Sequence, residues 1–165
     1  MASVAEASRQ SMSKEILDYT SMARGERPGK HSYVALLGLR AFDTPGLVKL
    51  LGDGVPFAAF QKLCGSLDLT AAQLAGLIQI SARTLARRKH EGRLRPDESD
   101  RLVRAARIFG RAIDLFEGDA AAARRWLKRD NPALGGSSPL AMITSEVGAR
   151  EVDALIGRLE HGVFS

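Results

Sequence analysis

A chain of 165 residues, 45% hydrophobic but only 5% aromatic, can bury the core of one ordinary domain or two small ones, and that core must be mostly Leu, Ala, Ile and Val, a helical composition. The net charge of +5 and a sequence pI near 9.8 favour a polyanionic partner. One cysteine, Cys64, excludes an intramolecular disulfide, and no apolar run approaches the ~20 residues of a membrane span or opens the chain as a signal peptide, so a cytoplasmic protein with no membrane partner is expected.

Residues 1–11 are small and polar and are read as disordered. From Ser13, a short helix carrying Ile16, Leu17 and Tyr19 is expected to end near Arg24, before the breaker cluster of residues 25–30 forms a loop. Residues 31–39 start β-branched and aromatic and turn Leu-rich; they are read as a short helix ending at Gly38. Thr44 is read as an N-cap with Pro45 at the first helical position, and Leu47, Val48, Leu50 and Leu51 as one apolar face. After Gly52-Asp53-Gly54, Val55-Pro56 starts a helix with Phe57, Phe60, Leu63 and Cys64 inward. In that run Cys64 reads as a small buried hydrophobe rather than a catalytic thiol.

Residues 70–95 read as two short helices joined by a tight turn. Thr70 is an N-cap, and Leu74, Leu77 and Ile78 recur at helical spacing. Ala75 leaves room for a crossing helix, Gln79-Ile80 makes the turn, and Ser81 caps a second helix with Leu85 inward and Arg83, Arg87, Arg88 and Lys89 outward. Gly92 stops it. This is helix-turn-helix spacing, in which the second helix lies in the DNA major groove. An αα-corner with a solvated basic face is the plainer alternative. Residues 83–111 hold ten Lys/Arg against four Asp/Glu, a surplus of six, the distribution expected for phosphate contacts by the second helix and the one after it.

Pro96 with Asp97 and Glu98 is a helix start, and Leu102, Ala105, Ala106, Phe109, Ala112, Ile113 and Phe116 then keep the helical period until Gly118. Asp119 caps the next helix, with Ala122, Ala123, Trp126 and Leu127 as its buried stripe and Trp126 as a core anchor. Asn131-Pro132 closes it. Residues 133–140 form a Gly/Ser/Pro connection; no Lys-Ser/Thr pair follows Gly136, as a phosphate-cradling P-loop requires. Ser138 caps a helix with Pro139 first. Residues 144–161 are a last amphipathic helix with Val147, Val152, Leu155, Ile156 and Leu159 on one side, ended by Gly162.

The pattern Gln73-Leu74-Ala75, turn, Ile80-Ser81 and Leu85 resembles the Xre (lambda-repressor-like) helix-turn-helix, with Gln79 where that pattern usually has Gly. The ordered set Trp126-Leu127, Asn131-Pro132, Leu134-Gly135-Gly136, Pro139-Leu140, Gly148-Ala149, Glu151-Val152, Leu155, Arg158 and Gly162 is similar to the toxin-binding domain of the Xre/MbcA/ParS-type antitoxins. The resemblance implies an all-α fold: an N-terminal extension over residues 1–43, an Xre-like helix-turn-helix bundle over 44–95 and a small helical toxin-binding domain over 96–165. It further implies a type II antitoxin that neutralises a RES-domain, NAD-depleting toxin by covering its active site, acts as a homodimer and represses its own operon by binding operator DNA.

The residues themselves offer no catalytic set. His31, His90 and His161 are far apart without metal-ligand spacing, no GxSxG or CxxC occurs, and Glu146, Glu151 and Asp153 are read as a solvated or partner-facing side. No enzyme activity, metal or cofactor is expected. For DNA, Ala82, Arg83 and Arg87 are expected on the outward face of the second helix, Arg83 being suited to a bidentate contact with guanine. Thr84, Arg88 and Lys89 are expected at phosphates, with Thr70 and Gln73 clamping the backbone. For the toxin, Arg158, Glu160, His161, Val163 and Phe164 are the candidates; the Val-Phe tail packing back on its own domain is the alternative. Two rival functions stay open: a plain dimeric repressor with a C-terminal dimerisation domain, and a protein-binding module whose helix-turn-helix no longer takes DNA.

Overall fold

A computed structural model of the chain describes residues 13–24 and 30–162, and in these every regular element is helical. The expected disorder of residues 1–11 lies outside the described residues, as does all of the 25–30 loop but Lys30. In chain order the elements are α1 (Lys14–Ala23), a 3-10 helix (Ser32–Leu37), α2 (Thr44–Asp53), α3 (Phe57–Leu67), α4 (Ala71–Leu77), α5 (Ala82–Glu91), α6 (Pro96–Leu115), α7 (Ala120–Lys128), a 3-10 turn (Pro132–Leu134), α8 (Pro139–Met142) and α9 (Glu146–Glu160).

The caps follow from local chemistry. Ser13, Thr70, Ser81, Asp119, Ser138 and Ser145 each accept a first-turn backbone N–H that would otherwise be unpaired. At α2 the cap is Asp43 rather than Thr44: its carboxylate accepts the Gly46 N–H, and the Thr44 hydroxyl turns instead to His31, 3.0 Å away. Residues 32–37 wind as the tighter 3-10 form, ending at Gly38 in the left-handed region as the sequence suggested.

The 20-residue α6 is the axis of the molecule. Leu102, Ala105, Ala106, Phe109, Ala112 and Ile113 are buried as predicted, and so are Val103 and Ile108, because α6 is wrapped on several sides: by α2, α3 and the first 3-10 helix on one part of its surface and by α7 and α9 on another. Fully burying a side chain such as Phe109 is worth about 1.5–3 kcal/mol, so this stripe stabilises both halves of the chain. Tyr19 ties α1 to the far end of α6 by donating its hydroxyl to the Gly110 carbonyl (3.0 Å) and to the Asp114 carboxylate (2.7 Å). Burial raises the Asp114 carboxyl pKa despite the Tyr19 donor, and it raises the Tyr19 hydroxyl too.

Two apolar assignments are corrected. Val48 is 63% and Val147 75% exposed. Val48 stands about 100° around α2 from the buried Leu47, and Val147 about 80–180° around α9 from Val152, Leu155 and Ile156, which do pack. Cys64 and Trp126 are half-buried, Trp126 lying 6.3 Å from Phe116 between ring centres. The 133–140 segment is a closed connection: Asn131 N–H donates to Ser137 O (3.1 Å), Gly136 N–H to Asn131 O (3.0 Å), and the left-handed Gly135 and Gly136 let the chain reverse.

Candidate functional site

Helices α4 and α5 form the expected helix-turn-helix. A capping box opens α4: Gln73 N–H donates to the Thr70 hydroxyl (3.2 Å) and Thr70 N–H to the Gln73 side chain (2.9 Å). The turn closes through Ile80 N–H to Ala75 O (2.9 Å), and Gln79 takes φ 57, a left-handed conformation that glycine adopts at no steric cost. Ser81 then caps α5, its hydroxyl accepting Thr84 N–H at 3.1 Å. Replacing Gln79 with Gly should therefore raise stability by roughly 0.5–1 kcal/mol, strain relief exceeding glycine's entropy cost. A urea midpoint that moves up with an unchanged slope is the expected reading.

On α5, Ala82, Arg83, Arg87 and Lys89 are exposed and Thr84 is half-buried, as the outward assignment requires; Thr70 and Gln73 are exposed at the start of α4. Arg88 is not outward. It is 2% exposed, and its guanidinium forks onto the buried Glu98 carboxylate of α6, Nε to Oε2 at 2.7 Å and Nη2 to Oε1 at 2.9 Å, with Nη1 on Glu91 at 3.0 Å. An arginine whose donors are spent inside the fold has none for a phosphate, which corrects its assignment. Glu98 also accepts Arg95 N–H (2.9 Å). Burial works against the Glu98 charge, but the Arg88 fork and the Arg95 donor prevail and hold its carboxyl below the usual value.

Three residues beyond Glu98, α6 grips the turn. Arg101 Nε donates to the Ile78 carbonyl at 2.7 Å, satisfying a group orphaned where α4 ends. The segment after α5 is laced to the α2–α3 loop by Leu94 N–H to Val55 O and Phe57 N–H to Gly92 O (both 2.9 Å) and by Ser99 Oγ accepting Val55 N–H (2.9 Å). So the exposed face of α5 is held from behind at both ends by residues absent from the sequence-based site. Arg93 and Arg95, also exposed, extend its basic face past Gly92.

The basic run along α6 does not face outward, contrary to the phosphate footprint read from composition. Arg104 pairs with Glu146 (3.1 Å), Arg107 with Asp153, and Arg111 with Asp153 (3.4 Å) and Glu160 (2.9 Å). Asp153 is thus an inward partner of α6, while Glu146 reaches Arg104 from an exposed position and Glu151 is exposed, so both keep the solvated side. Of the residues expected to meet a partner at the end of α9, Arg158 is half-buried, Glu160 is engaged with Arg111, and His161 is exposed. Val163 and Phe164 lie outside the described residues.

Burial pushes the Cys64 thiol up to about 11, away from the nucleophilic thiolate, and the His31 ring is held between Tyr33 and Thr44 hydroxyls, each at 3.0 Å.

Two family models match. Residues 46–107 match the antitoxin Xre-like helix-turn-helix domain and residues 111–162 the antitoxin Xre/MbcA/ParS C-terminal toxin-binding domain. A protein named Antitoxin Xre from Photorhabdus laumondii subsp. laumondii is 34% identical over 130 residues, covering 78% of this chain and 88% of its own. The chain belongs to the Xre antitoxin family. An Antitoxin Xre from Yersinia enterocolitica is 45% identical over 99 residues (59% of this chain, 67% of that one), and one from Pseudomonas putida is 36% identical over 141 residues (81% and 86%). The family's two domains bind rather than catalyse, and here they meet within α6, which runs unbroken from the reading head into the toxin-binding module. No helix among the described residues is long and apolar enough to cross a membrane.

Proposed function

We propose that this chain is the antitoxin of a type II module: its C-terminal domain neutralises a RES-domain, NAD-depleting toxin by covering the active-site entrance, and as a homodimer it represses its own operon through α5. The observation that carries this reading is the pairing, on one chain, of the helix-turn-helix and toxin-binding domains of the Xre antitoxins. The family relationship to proteins named Antitoxin Xre supports the toxin side. Arg83, Arg87 and Lys89, exposed on a capped helix, support the DNA side. Arg83, at the N-terminal end of α5, takes a base edge with Ala82 and Arg87 beside it; Lys89, Thr84, Thr70 and Gln73 take phosphates. On the toxin side Arg158, Glu160 and His161 at the exposed end of α9 make the contact.

Arg83→Ala should weaken binding to the chain's own upstream DNA by about 1–3 kcal/mol while leaving random DNA nearly unaffected, whereas Lys89→Ala should weaken both equally. Fluorescence anisotropy on the two duplexes separates these, and an equal loss for Arg83→Ala would remove it from base reading. For the toxin, NAD consumption by the purified toxin encoded beside this chain is the test. Stoichiometric addition of the chain should stop it; undiminished consumption in a complex that forms would exclude active-site covering.

A further inference from the structure

The geometry points to a second DNA-backbone contact on α7, inside the domain assigned to toxin binding: Arg125 and Arg129, beside Lys128, take phosphates flanking the stretch read by α5. This rests on the DNA-binding reading above.

Helix α7 is pinned to the entrance of the helix-turn-helix. Arg124 Nε donates to the Ser66 carbonyl and Lys128 Nζ to the Asp68 carbonyl, both at 2.8 Å. These carbonyls close α3, where Asp68 turns through the left-handed region (φ 54), and two residues later Thr70 opens α4. Arg124 and Lys128 are four residues apart on one face of α7, so that face is fixed against the α3–α4 corner. Arg125 shares a side with Lys128 at a spacing of three, and Arg129 follows at the C-cap. The first helix of a helix-turn-helix crosses the DNA backbone while the second enters the groove. A cationic helix fixed to the entrance of α4 therefore stands next to the strand that α4 crosses.

The pairing of charges separates α7 from α6. The α6 arginines face acids of their own chain: Arg104 lies against Glu146, Arg107 against Asp153 and Arg111 against Glu160. Arg125 and Arg129 are exposed, and neither makes an ion pair among the described residues. The acids near them are accounted for. Asp119 caps the start of α7 by accepting Ala122 N–H, and Asp68 lies 3.8 Å from Lys128. Asp130, adjacent in the chain to Arg129, is exposed and offsets one charge. Two guanidiniums able to move onto phosphate oxygens remain, and phosphate is the partner their planar fork fits.

The test is binding of the full chain to a fluorescent random-sequence duplex of about 40 base pairs across a salt series, since a backbone contact is independent of sequence. Wild type, R125A/R129A and R125K/R129K are compared, with capture of the purified toxin as a parallel readout. Losing two phosphate contacts should lower the slope of log K against log salt by about 1.8, and the lysine variant should restore most of it. Toxin capture should not change. A wild-type slope in R125A/R129A would overturn the inference while leaving the α5 reading standing. So would loss of toxin capture with an unchanged slope, which would make the patch a protein contact. Absence of any wild-type binding to DNA would overturn both readings together.

Discussion

Glu98→Ala is expected to destabilise the fold by about 3–5 kcal/mol, because it leaves the Arg88 guanidinium buried without its main partner and Arg95 N–H without its acceptor. The cost arises from the stranded charge more than from the lost attraction. Replacing both residues by apolar groups, R88M/E98L, should therefore recover most of the stability and can exceed wild type, since buried pairs exchanged for well-packed hydrophobes are often neutral or favourable. Urea unfolding of the three variants measures this. Acid should show the same pair. The Glu98 carboxyl is held below its unfolded value, so its contribution is complete above about pH 4.3 and is lost as pH falls through the lower folded pKa. Wild type should lose stability below that point more steeply than Glu98→Gln, which has no carboxyl to protonate there. Parallel acid profiles would mean that the pair is not coupled to folding.

The second large effect is expected at Gly148, in the first turn of α9. It is buried, and a Cβ there would stand well inside 3.0 Å of the Met142 carbonyl oxygen and carbon, backbone atoms that cannot swing aside. Gly148→Ala must push α9 away from α8, at the upper end of the roughly 1–3 kcal/mol typical of overpacking or beyond it. A fall in melting temperature of about 5–10 °C is the corresponding expectation. Because the strain lies in the C-terminal module, DNA binding through α5 should survive where toxin neutralisation weakens. Gly157, farther along the same helix, is the matched control, because a Cβ added there would meet nothing within 4 Å. Gly157→Ala should be neutral or slightly stabilising.

What could be read from sequence was local. Thr70, Ser81, Asp119 and Ser138 were all legible as caps because a cap needs only its own hydroxyl or carboxylate and an N–H two or three residues on. The helix-turn-helix was legible for the same reason, including the unusual Gln79. The α6 stripe was legible because period 3.6 persists over a long helix. What escaped was pairing between distant residues. Arg87 and Arg88 look alike in sequence, yet one is exposed and the other meets Glu98 across a turn. The α6 arginines looked like a phosphate-facing run because their partners, Asp153 and Glu160, lie 42–49 residues downstream, beyond any helical spacing rule. Asp153 of α9 was read as facing outward for the same reason. Val48 was misplaced by a different limit: a stripe one residue too wide still satisfies the period.

Antitoxin activity is tested most directly by co-expression. The full chain should restore growth and cellular NAD to cells expressing the toxin encoded next to it, and Gly148→Ala, present at equal soluble level, should restore less. Cells that still lose NAD and stop growing, with abundant soluble full-length chain bound to that toxin, would contradict neutralisation and leave a DNA-binding regulator.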